Sequence, residues 1–150
     1  MMMRREFLIA VTGLAAVGAC VPAGPGSATI VAQGTAGMNP GEGGADLPLT
    51  VQIVQMRGSG AFDTADFFAL QDPAKALGAD FIKAQSLALA PGGKATASVT
   101  IDPATSLIGV IAGYRNPNGK VFRAKAAAPK KGNVTFQLNI SASGISLVPA

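Results

Sequence analysis

From Ser27 onward, apolar and polar positions alternate with a period of two, and clusters of Gly, Pro and Asn interrupt the alternation at short intervals. "ATIVAQGTA" (28–36) predicts a first strand, followed by a long Gly/Pro/Asn loop, "MNPGEGGADLP" (38–48). "LTVQIVQMR" (49–57) places Leu49, Val51, Ile53 and Gln55 on one face and Thr50, Gln52, Val54 and Met56 on the other. Apolar side chains on both faces predict a strand inside its sheet. "AQSLALA", the turn Pro91-Gly92-Gly93 and "KATASVTI" follow, with Ala95, Ala97, Val99 and Ile101 facing inward. "SLIGVIAGYR" (106–115) is a nearly continuous apolar run and predicts a buried central strand. "NPNG" (116–119) predicts a hairpin turn into "KVFRAKAA", where Val121, Arg123 and Lys125 would share a face opposite Phe122. "NVTFQLNI" and "GISLV" predict a closing hairpin around Ser141-Ala142-Ser143.

One segment breaks the alternation. "FDTADFFALQDPAKALG" predicts a short helical insertion, with Asp63 as N-cap and Phe62, Ala65, Phe67, Phe68 and Leu70 forming its apolar side. Asp72-Pro73 restarts a second helical stretch, Asp72 as cap and Pro73 in the first turn, and Gly78 ends it. About eight strands with one helical insertion predict an all-β fold, a two-sheet β-sandwich, in a single domain.

The first nineteen residues have a different texture. Arg4 and Arg5 precede an apolar run from Phe7 to Val17. That run is short of the roughly 20 residues a spanning helix needs, and its apolar side chains do not form a stripe, so it reads as a signal peptide over 1–19. Val17-Gly18-Ala19-Cys20 resembles the lipobox of bacterial lipoproteins. The resemblance implies cleavage before Cys20 and acylation of its sulfur and amino group, with several chains giving the stable attachment that one would not. Val21 is not the aspartate of an inner-membrane retention signal, which favours the outer membrane. "VPAGPGS" completes a lipidated N-terminus and tether over 20–27, leaving 28–150 as the folded domain.

Composition narrows the chemistry. The chain of 150 residues has no His, no Trp and one Cys. The commonest general base and zinc ligand are therefore missing, and neither a disulfide framework nor a multi-cysteine metal site is possible. A net charge of +4 without aromatic or arginine clusters does not point to nucleic acid. Asp63 and Asp66, three apart at a helix start, read as caps and dipole partners in place of a catalytic pair. No acidic residue follows Asp102, yet Arg115, Lys120, Arg123, Lys125, Lys130 and Lys131 fall between 115 and 131. They read either as a solvated edge or as a basic patch, chiefly Arg115, Lys120, Arg123 and Lys125, for an acidic partner or anionic headgroups. The 38–48 loop is longer than most strand connections, as binding loops often are.

"MNPGEGGADLPLTVQIVQMRGSGAFDTADFFAL", "LALAPGG" and "IGVIAGYRN…GKVFRAK", in this order after a lipobox, resemble the outer-membrane lipoprotein of bacterial type VI secretion systems, the TssJ (SciN, VasD) family. Phe122 stands where that family usually has Trp before Arg123. The resemblance implies a transthyretin-like β-sandwich with a helical addition, no catalysis, no cofactor, and a place on the periplasmic face of the outer membrane. It also implies a partner, the periplasmic C-terminal domain of the inner-membrane component TssM, and multiple copies in a ring-shaped complex. The family's contact loop falls on Met38, Asn39, Pro40, Gly41, Glu42, Gly43, Gly44, Ala45 and Asp46. The competing expectations are a lipoprotein chaperone or pilotin, and a small-ligand carrier with a deep apolar pocket between the sheets.

Overall fold

The computed structural model describes residues 25–150; the predicted signal peptide, Cys20 and most of the predicted tether lie outside them. Eight strands form two four-stranded sheets. The first sheet contains β1 (Ser27–Gly34), β4 (Lys94–Thr100), β7 (Asn133–Ser141) and β8 (Gly144–Pro149), in the order β4-β1-β7-β8. The second contains β2 (Leu49–Met56), β3 (Phe81–Leu89), β5 (Leu107–Ala112) and β6 (Arg123–Ala127), in the order β3-β2-β5-β6. Strand β1 pairs antiparallel with β4 and parallel with β7, so Ile30 lies between Ala97 and Phe136. All other pairings are antiparallel.

Period-two patterning sets the core. Ala28, Ile30 and Ala32 of β1, Val99 of β4 and Leu138 and Ile140 of β7 face Val51, Ile53 and Val110 of the other sheet, all buried. Strands β2 and β5 are interior, as their two-faced apolar patterns require, and their outer faces carry a second core. There Val54, Met56 and Ile111 pack under Phe62, Leu70 and Leu77 of the helical insertion. The molecule is thus sheet on sheet with a helical layer on the second. Gly109 makes that layer possible, because a Cβ there would stand 2.8 Å from the Phe62 ring.

The insertion is three short helices, α1 (Gly60–Thr64), α2 (Phe67–Leu70) and α3 (Pro73–Leu77). Asp72 accepts from the Lys75 N–H, Pro73 opens α3, and Gly78 ends it at φ 54°, all as expected. Asp63 is not the predicted N-cap. The first helix starts earlier, with Ser59 at the cap position, and Asp63 lies inside it. The capping carboxylate is Asp66, which accepts from the Ala69 N–H at 2.7 Å and starts α2. The chain is extended at Ala65 (ψ 144°), so the predicted continuous apolar side does not form. Phe62 and Leu70 are buried, Phe67 is half-buried, and Phe68 is 78% exposed.

A second correction concerns 116–122. The turn at "NPNG" forms, with the Lys120 N–H donating to the Pro117 carbonyl at 3.1 Å, but it tips a longer β5–β6 loop, since β6 begins only at Arg123 and Val121 lies in the connection. There Val121 bridges to Gly144 of the opposite sheet, donating its N–H to the Ser143 carbonyl and accepting from the Ile145 N–H at 2.8 Å. The local turn is kept, and backbone hydrogen bonds to the opposite sheet hold Val121 out of β6. Ser27, expected in the tether, opens β1, and its N–H donates to the Gly132 carbonyl.

Candidate functional site

The connection from β1 to β2 is a built structure. Its base is buried: Met38 lies in the sandwich core, and a Cβ on Gly34 would collide with its sulfur. Asn39 is 3% exposed and uses both ends of its amide. The Nδ2 donates to the Pro48 carbonyl at 2.9 Å, and Oδ1 accepts from the Arg115 N–H at 2.8 Å. Above it Pro40 bridges to Asp46, the Leu47 N–H donates to the Asn39 carbonyl at 2.9 Å, and the Gly41 N–H donates to the Ala45 carbonyl at 2.7 Å. A 3-10 turn over Glu42–Gly44 closes the tip. Gly43 and Gly44 adopt φ 77° and 81°, where a side chain would be strained, so the Gly-Gly pair is what lets the tip fold back. Asp46 braces the loop by accepting from the Gly37 N–H at 2.8 Å.

The loop therefore divides into two parts. Met38 and Asn39 are supports, Pro40 and Gly41 are the half-buried neck, and Glu42, Gly43, Gly44, Ala45 and Asp46 are exposed. No side chain here is placed for acid–base or nucleophilic chemistry. A carboxylate on a rigid, glycine-walled tip can accept hydrogen bonds from, or pair with, a protein surface.

Asn39 and Asn116, which donates to the Pro40 carbonyl at 3.4 Å, tie this loop to the β5–β6 loop. Tyr114 roots that second loop: it is buried, and its hydroxyl donates to the Ser141 carbonyl at 2.7 Å. Burial pushes its pKa up to about 12, so it remains a protonated donor at any ordinary pH. The sequence marked neither Tyr114 nor Asn116 individually. Their signals were collective: both lie in "IGVIAGYRN", which carries the family resemblance, and Asn116 opens the predicted turn.

The basic residues are dispersed. Arg115 is exposed beside the loop, and Lys120 sits with its Nζ 4.8 Å from the Tyr114 ring centroid. Arg123 and Lys125 share a face, as the alternation predicts, but that face lies under the helical layer. Arg123 Nη1 donates to the carbonyls of Phe62 and Ala65. Lys125 pairs with Asp63 at 2.7 Å and donates to Ser59 Oγ. The ammonium of Lys125 lowers the Asp63 pKa below the usual carboxylate value. Lys130 belongs to the opposite end of the sandwich, where it lines a cleft of about 620 Å³ with Gly26, Lys83 and Asp102.

Fold and site together define a class: an eight-stranded sandwich, reinforced by a helical layer, that presents a preformed loop at one end. Within that class the chain belongs to the type VI secretion lipoprotein family, T6SS-SciN (VasD, EvfM, TssJ), whose model matches residues 27–143. The sandwich is similar to the type VI secretion lipoprotein TssJ1 of Pseudomonas aeruginosa, with 25% identity, a TM-score of 0.76, and coverage of 84% of this chain and 97% of that one. It shares its fold with Serratia marcescens Lip, described as a membrane-bound component of the type VI secretion system (23% identity, TM-score 0.70, 81% of this chain and 96% of that one). It also shares its fold with a chain in a structure described as the TssM C-terminal domain from EAEC (23% identity, TM-score 0.69, 83% and 98%). No curated protein matches the sequence.

Proposed function

We propose that this chain is a lipid-anchored, non-catalytic bracket of a type VI secretion membrane complex, held at the periplasmic face of the outer membrane through Cys20. The exposed tip, Glu42 to Asp46, docks on the periplasmic C-terminal domain of a TssM-like inner-membrane protein. Several copies in a ring multiply a modest individual affinity.

The observation that carries this reading is the prebuilt tip at the end of the sandwich opposite the entry of the chain. Strand β1 runs from Ser27 to Gly34, eight residues. At about 3.3 Å per residue it separates the tether side from the loop side by roughly 25 Å. A lipid at Cys20 would hold one end near the leaflet and leave the tip facing away from it. Internal hydrogen bonds already order the tip, so little conformational entropy remains to be lost on docking. Membership of the secretion-lipoprotein family supports the assignment to that apparatus. The likeness to a chain solved under a TssM description supports the choice of partner.

The test is capture of the TssM-like periplasmic domain by the soluble protein starting at residue 21. Deleting 41–45 joins residues that are already bridge partners, Pro40 and Asp46. We expect the deletion to keep the sandwich folded by circular dichroism and to weaken capture at least tenfold. Undiminished capture by a folded deletion variant would reject the docking role of the tip.

A further inference from the structure

Phe68 is the most exposed large apolar side chain among the described residues, and it is not isolated. Its ring meets Phe67 edge-on at 5.5 Å, and Phe67 meets Phe122 edge-on at 5.2 Å. These three rings, with Asp66 and the turn 117–120, line a groove of about 440 Å³. The Asp66 cap fixes where α2 begins, and with it the outward direction of Phe68. An aromatic ring kept in water on a short, capped helix is a typical anchor for a protein contact.

Lys120 forms part of the same groove. Its Nζ is shielded from solvent, has no hydrogen-bond partner, and lies 4.8 Å from the centroid of the Tyr114 ring. The one salt bridge among the described residues is Lys125–Asp63, so no carboxylate answers this ammonium. Three N–H donors are left unspent, which is costly inside a protein. A lysine side chain is long enough to turn outward to an arriving acid, and Arg115 adds positive charge on the same loop.

We propose that Phe68 and the groove beside it form a second contact for the protein partner that covers the loop tip. This contact takes a segment in which an apolar side chain is followed by a carboxylate: the apolar group packs against Phe68 and Phe122, and the carboxylate pairs with Lys120. The groove is continuous with the loop, because its 117–120 wall belongs to the segment that Asn39 and Asn116 tie to 38–48. The proposal rests on the docking role of that loop, and it makes the interface two-point: an acidic tip and an aromatic, basic groove. Opposite charges at the two points fix the partner's orientation.

Calorimetric titration with the TssM-like periplasmic domain tests it. Phe68→Ala should weaken binding about tenfold and Lys120→Glu at least tenfold, with melting temperatures near the wild type's for Phe68→Ala. A p-benzoylphenylalanine placed at position 68 should crosslink to the partner. If both variants bind within twofold of wild type while the 41–45 deletion abolishes binding, the groove proposal is overturned and the loop reading stands. An uncrosslinked partner in a saturated complex also overturns it. Wild-type protein that fails to bind the domain overturns both.

Discussion

Asn39 shows how one buried amide can organise a surface it does not join. Its donor and acceptor are each used once, on Pro48 and Arg115, so two loops from different parts of the chain share one side chain. Removing it in Asn39→Ala strands the Arg115 N–H and the Pro48 carbonyl, at a cost of about 1–3 kcal/mol. We expect chemical denaturation to show that loss and partner affinity to fall with it, although Asn39 itself is covered. Affinity unchanged in a destabilised Asn39→Ala variant would mean that the tip orders without its support. In the sequence, Asn39-Pro40 lay in the loop that the family resemblance offers as the partner contact, with no sign that Asn39 is a buried support. The division between supports and exposed tip depends on the Arg115 backbone, seventy-six positions away, and no local pattern contains it. The glycines of this stretch marked a long loop; that Gly43 and Gly44 take positive φ and fold the tip back emerged only in the structure.

At the scale of the element, the helical layer is fastened less by its helices than by the strand beneath it. No helix here exceeds five residues, far below the length at which a helix is stable alone. What holds the layer is apolar packing of Phe62, Leu70 and Leu77, together with Arg123, whose guanidinium takes the carbonyls of Phe62 and Ala65. Those carbonyls lie where α1 ends and cannot find helical partners, so a cation is favoured there. Arg123→Met keeps the packing length but strands both carbonyls. It should cost about 2–3 kcal/mol and speed hydrogen exchange across 60–77 while the sandwich stays protected. Uniform exchange in the variant would refute a separate role for this clamp. The alternation of β6 did place Arg123 and Lys125 on one face. Its partner surface, a helical layer from sixty residues earlier, was beyond the reach of periodicity, so the pair looked free.

For the whole molecule the consequence is polarity from end to end. The chain enters at Gly26, which is pressed against the Pro129 backbone, and the 38–48 loop emerges at the other end of β1. Cys20 and Gly26 are six residue steps apart, and at most about 3.6 Å each these would keep the domain within roughly 20 Å of the proposed lipid. In the proposed arrangement location hangs on one thiol and orientation on one strand. Cys20→Ser should leave a folded domain with an unchanged melting curve that moves from the membrane to the soluble fraction and no longer supports secretion. Full secretion by that variant would remove the anchor from the mechanism.

The sequence by itself determined the architecture: eight strands, two of them two-faced and interior, a helical interruption after β2, and a glycine-rich connection between β1 and β2. Each of these follows from local periodicity or from a backbone that few residues can adopt, and both are written in consecutive positions. Tertiary structure decided the rest. It buried Met38 and Asn39 and exposed Glu42 to Asp46, moved the cap from Asp63 to Asp66, turned Phe68 outward, drew Val121 across to Gly144, and spent Arg123 on the helical layer. The physical reason is common to all of them. A side chain or backbone group takes whichever partner the packed layers bring within hydrogen-bond range, and that partner is set by how the sheets and helices stack.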